Sequence, residues 1–80
     1  MIKIKLKQLL EEKDKTMYWL SKNTGIRPNT ISQWYNNEEL SEDKKVKEIN
    51  VKALDKICKA LDCKIEDILE YVKEEKYHSK

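Results

Sequence analysis

Asn29 and Gln33 stand four residues apart, the spacing that sets two side chains on one face of a helix. Each carries an amide with a donor beside an acceptor, the pair of groups that can engage the N6 and N7 edge of an adenine. Lys22 and Arg27 lie just before them. From Lys15 to Asn37 there is no acidic residue, in a chain where 15 of 80 residues are Asp or Glu. A surface built from that stretch meets a polyanion without like-charge repulsion. Other chemistries lack their parts. Cys58 and Cys63 are the only thiols, and His78, the only imidazole, sits in a charged tail. A structural zinc centre wants four ligands, so no metal is expected. Two cysteines do not make a secreted disulfide scaffold, and one glycine cannot make a phosphate-binding loop. Within one continuous helix a pair five apart is too distant to bridge, and both cysteines read as small buried apolar residues. With no nucleophile beside a base, the chain reads as a non-enzyme without a cofactor.

The elements that must position those amides follow from composition and periodicity. Eighty residues make one domain. One Gly and one Pro argue against a sandwich or barrel and fit a helical bundle. No apolar run reaches the length of a membrane span. The start, Met1-Ile-Lys-Ile-Lys-Leu-Lys, alternates apolar and basic residues, unlike a signal peptide, so a soluble, cytoplasmic protein is expected. Residues 1–4 read as extended. Leu6, Leu9 and Leu10 start a helix over 5–13, and Thr16 caps a second over 17–23 that turns Leu20 inward. Gly25 supplies the left-handed residue after it. Pro28 suits the first turn of a third helix, 28–35, with Ile31 and Trp34 inward. Asn36-Asn37 would end it in the left-handed region. Residues 37–49 form a long charged connection, with a short helical turn from Ser41. Asn50 caps a fourth helix over 51–61, where Leu54, Ile57, Cys58 and Leu61 make the clearest stripe. A fifth, 65–75, would bury Ile65, Ile68, Leu69 and Val72. The domain thus spans 1–75, with a polar tail at 76–80. Tyr18 and Trp19 leave two readings open, packing within the molecule, which is favoured, or an exposed aromatic patch for a partner.

Residues 16–37 hold two short helices joined by a tight turn at Gly25, with Ser21 small where they would cross. This is the spacing of a helix-turn-helix, whose second helix projects while the first braces it. The stretch resembles the helix-turn-helix of the phage Cro and repressor class, the XRE family. That family's pattern reads roughly Thr-Gln-x-x-Leu-Ala-x-x-x-Gly-Ile/Val-Ser-x-x-Thr-Ile-Ser-x-Trp/Ile-x-x-Gly. Thr16, Leu20, Gly25, Ile26, Thr30, Ile31, Ser32 and Trp34 match it. Residues 55–69 are similar to the fourth and fifth helices of small members. The chain departs from the pattern at Met17, where Gln is usual, at Arg27 and Pro28, and at Asn37, where Gly is usual.

The resemblance implies an all-α, five-helix lambda-repressor-like DNA-binding domain, and a sequence-specific transcriptional regulator, a repressor, on double-stranded DNA. The major groove admits one helix. Base edges are then expected to meet Pro28, Asn29, Thr30, Ser32 and Gln33, with Pro28 or Thr30 against a thymine methyl and the amides favouring A·T pairs. Phosphates are expected at Thr16 and Met17, through the helix N-terminus, and at Lys22, Arg27, Tyr35, Asn36, Lys44 and Lys45. No small-molecule ligand or membrane partner is expected. A homodimer stays open, including one assembled only on DNA, since so short a chain has few spare apolar residues. A second reading is a protein-interaction module on the same scaffold, an antirepressor or assembly partner. Glu38, Glu39, Glu42 and Asp43 favour it, as does the chain after residue 36, with ten lysines against twelve acids.

Overall fold

Leu6, Leu9 and Leu10 recur at helical spacing, and the computed structural model winds them into α1 (Leu6–Glu12) with all three buried. The structure describes residues 1–73. Thr16 opens α2 (Met17–Thr24), its hydroxyl oxygen accepting the Trp19 N–H at 3.0 Å. Gly25, at φ 77°, closes α2. Pro28 then starts α3 (Pro28–Tyr35), with no side-chain cap from Arg27, so the ring's fixed φ and the burial of Ile31 and Trp34 set this start. Asn50 caps α4 (Val51–Leu61) by accepting the Lys52 N–H at 2.7 Å. Helix α2 packs on α3 and α4, and α1 packs on α3. Their buried side chains, Leu20, Ile31, Trp34, Ile57 and Leu61 among them, form one core with the leucines of α1. Each such side chain contributes roughly 1.5–3 kcal/mol when fully buried. Among the described residues no helix is long and apolar enough to cross a membrane.

The fifth helix is the main correction. Helix α5 spans only Ile65–Ile68, and the chain then extends as β2 (Leu69–Tyr71). It pairs antiparallel with β1 (Ile2–Ile4), Ile4 opposite Leu69 and Ile2 opposite Tyr71. Residues 2–4 are extended, as expected, and extended backbone needs hydrogen-bond partners. Leu69–Tyr71 supply them, and flanking bonds run from the Lys5 N–H to the Ile68 carbonyl (2.7 Å) and from the Val72 N–H to the Met1 carbonyl (2.8 Å). The spacing of Ile65, Ile68, Leu69 and Val72 fits a helix, but backbone satisfaction across the whole chain outweighs it. Ile65, expected inward, is exposed, and Ile68 is buried. The end of the expected helix, the 76–80 tail and His78 lie outside the described residues.

Two further corrections are local. Asn36 is not left-handed (φ −100°), and the chain runs on into a 3-10 turn, Asn37–Glu39, then a second, Glu42–Lys44. The cysteines are half-buried rather than buried. Asp62 ends α4 at φ 51° and turns the chain, so the Cys63 N–H donates to the Cys58 carbonyl at 3.1 Å. Burial, then the neighbouring Cys58 thiol, push the Cys63 thiol up from its ordinary value of 9.0 to about 11. Its thiolate is therefore scarce at neutral pH. Peptide-resolved alkylation with iodoacetamide should show the Cys63 rate rising until pH is near 11. In Cys58→Ser that midpoint should fall but stay above the ordinary thiol value, because burial remains.

Candidate nucleic-acid interface

The angle between α2 and α3 is set by hydroxyls at the end of α2. Ser21 Oγ donates to the Ile26 carbonyl at 2.8 Å. Thr24 Oγ1 donates to the Leu20 carbonyl at 2.7 Å and accepts the Ile26 N–H at 3.1 Å. Gly25 N–H returns to the Ser21 carbonyl at 2.9 Å. Both backbone groups of Ile26 are thus bound to α2 side chains, and the turn has no slack. Sequence reasoning took Ser21 only for its size and missed Thr24. The readable signal was a Ser and a Thr on the last turns of α2, five and two residues before an apolar turn residue.

The rigid turn presents the start of α3 outward. Pro28, Asn29 and Gln33 are exposed, and Thr30 and Ser32 are half-buried. Asn29 and Ser32 form a ridge with a groove on each side. One groove is lined by Asn29, Ser32, Gln33, Asn36, Leu40 and Lys44. The other is lined by Met17, Tyr18, Ser21, Pro28, Asn29 and Ser32. Seven of the expected contact residues, Met17 among them, therefore line these two adjoining grooves, and Thr30 lines neither. The amide of Asn29 makes no hydrogen bond to any described residue. Gln33 Nε2 donates to the Lys44 carbonyl at 3.1 Å, which orients the amide and leaves its second N–H and its oxygen available. Asn36 Nδ2 donates back to the Ser32 carbonyl at 3.1 Å.

The connection after α3 is held against this face by Asn37. Its side chain is 4% exposed, and its Oδ1 accepts the Val46 N–H at 2.8 Å. The unusual Asn where the family pattern has Gly is thus a structural tie for the longer loop.

Charge around the face is uneven. Thr16 caps the Trp19 N–H, and the N–H groups of Met17 and Tyr18 before it have no intrahelical partner; Lys22 and Arg27 are exposed. Lys44 is exposed, whereas Lys45 is largely covered and pairs with Glu42 at 3.6 Å. Tyr35 is half-buried on the α1 side of α3, with the Lys7 ammonium 5.8 Å from its ring centre. Glu39 pairs with Lys7 at 3.9 Å. Trp19 packs on the core with Lys15 4.6 Å over its ring, as expected. Tyr18 does not: it is 72% exposed, with Lys22 5.7 Å from its ring centre.

Comparison with known proteins bears on the family and the fold. The model of the Cro/C1-type HTH DNA-binding domain matches residues 5–74. Among solved structures, the crystal structure of "a putative DNA-binding protein from Bacteroides fragilis" aligns with a TM-score of 0.68 and 26% identity. That alignment covers 88% of this chain and 100% of the other. No curated protein matches.

The turn can be tested by its backbone. A methyl group at Gly25 would meet no atom within 4 Å, so only the left-handed φ resists a side chain. Gly25→Ala should lower stability by about 1 kcal/mol in urea unfolding, and Gly25→Asn should lose less.

Proposed function

The chain belongs to the Cro/C1-type helix-turn-helix DNA-binding domains, and from that membership we propose that it is a sequence-specific transcriptional regulator that represses by occupying a short operator. The observation that carries this reading is the exposed amide of Asn29 on the first turn of α3, beside an acid-free pair of helices. Helix α3 enters the major groove. Asn29 and Gln33 pair with adenine edges, each good bidentate contact giving about 1–3 kcal/mol of discrimination. Ser32 accepts or donates to a neighbouring base, and Pro28 and Thr30 offer apolar contact. Thr16 and Met17 hold a phosphate at the start of α2. Lys22, Arg27, Asn36, Tyr35, Lys44 and Lys45 position the duplex through its backbone. A second copy on the adjoining half-site completes the operator. Half-sites of this class lie about 34–36 Å apart. The reaction is binding alone, and no catalytic step is part of the proposal.

A second reading, a protein-interaction module, draws on the exposed acids Glu38, Glu39, Glu42 and Asp43 beside the ridge. Salt separates the two. On mixed-sequence duplex, affinity should fall with salt at a log–log slope of about −3 per bound protomer, from the few phosphates these cations neutralise. No binding to genomic fragments at about 50 mM salt would favour the protein partner.

Two variants separate reading from positioning. Gln33→Ala should relax base preference at one position of each half-site, with non-specific affinity almost unchanged. Lys22→Ala should weaken all sequences alike and shallow the salt slope by about 1. Competition binding with selected and scrambled duplexes measures both. Identical behaviour of the two variants would overturn the assigned roles.

A further inference from the structure

Met17, which stands where the family pattern has Gln, and Pro28 line the same groove between α2 and α3. With the ring of Tyr18 they make three walls of that groove apolar. Ser21 also lines it, but its hydroxyl is spent on the Ile26 carbonyl. Asn29 and Ser32 form its outer rim and are shared with the groove on the far side of the ridge. Tyr18 is 72% exposed, which a buried packing role does not explain, and the Lys22 ammonium lies 5.7 Å from its ring centre. The groove is thus apolar inside, positively charged at its edge, and next to the amide that faces a base.

Resting on the DNA-binding reading above, we propose that this groove receives the 5-methyl group of a pyrimidine, with Tyr18 as a specificity-determining residue contributed by α2. The methyl group is the one apolar feature that base edges present in the major groove. A groove walled by a thioether, a phenol ring and a proline gains by covering it and gains nothing from the bare C5–H of uracil or cytosine. The position read lies beside the base pair that Asn29 contacts, because Asn29 forms the rim. Thymine carries that methyl in unmodified DNA, and 5-methylcytosine carries the same group on a different Watson–Crick edge.

The experiment takes the duplex most enriched by the full chain from a randomised library and replaces each thymine singly with deoxyuridine. Fluorescence anisotropy should show one thymine per half-site whose replacement weakens binding about three- to fivefold, the scale of one buried methyl. Placing cytosine and then 5-methylcytosine at that position separates the sources. Recovery by 5-methylcytosine assigns the site to the methyl on either base, and no recovery assigns it to thymine. Tyr18→Ala should reduce the thymine-to-uridine ratio at that position towards one. Its exposure makes it a fold-neutral change, which circular dichroism verifies. Selective binding in which no thymine is sensitive, or an unchanged ratio in Tyr18→Ala, overturns the groove assignment alone. Failure to enrich any sequence overturns the DNA-binding reading on which it rests.

Discussion

The Ile26 backbone, held at both its N–H and its carbonyl by hydroxyls of α2, is the constraint on which the α2–α3 face depends. A turn between two short helices has several ways to place the second one. Here Gly25 takes the left-handed conformation, and Ser21 and Thr24 bind the two polar groups that a different turn would leave unpaired. Each of these hydrogen bonds contributes only about 1 kcal/mol net, but leaving one partner buried and unpaired costs about 1–3 kcal/mol. That asymmetry makes alternative turns expensive. The core finishes the job, with Leu20 on one side of the turn and Ile31 and Trp34 on the other fully committed to the interior. The outward ridge at Asn29 is therefore rigid without touching the core itself.

A domain this small has little burial to spare, and polar ties take over part of the work. Asn37 holds the long connection to α3 through the Val46 N–H, and Gln33 adds a bond to the Lys44 carbonyl. The two-stranded sheet closes the other end, joining Ile2–Ile4 to Leu69–Tyr71 and setting Lys3 opposite Glu70. These ties connect segments that share no helical stripe. The acidic residues near the α3 ridge are partly balanced as well, since Glu39 and Glu42 each have a lysine partner.

Helices α1 to α4 were legible because each carries a local signature: a leucine stripe, Thr16, Gly25, Pro28 and Asn50 at the boundaries. The exposed positions of α3 were legible for the same reason, because Ile31 and Trp34 fix which side is inward. The strand after Ile68 was not legible, because its partner stands at the opposite end of the sequence and helical periodicity carries no record of it. Asn37 was misread as a left-handed stop, since an Asn after a helix has two uses and only the loop's return decides between them. Tyr18 and Trp19 are neighbours with opposite fates, which follows from α2 burying Leu20. Trp19 falls beside that stripe, and Tyr18 falls away from it.

The balance of charges says how such a face must divide its labour. The chain carries a net charge of +2, and several of its cations are committed to rings or carboxylates within the molecule. A phosphate-driven binder spreads many free cations along the duplex and gains affinity without selectivity. Here only a few cations border the α2–α3 face, so non-specific attraction is modest. On the proposed reading, affinity for a particular site then comes in larger proportion from contacts that distinguish bases, the roles proposed for the amides on the ridge and the apolar groove beside them. Under that proposal, the scarcity of charge and the density of exposed polar and apolar side chains on the same surface are two aspects of one arrangement, in which selectivity rather than bare attraction would set where the protein rests.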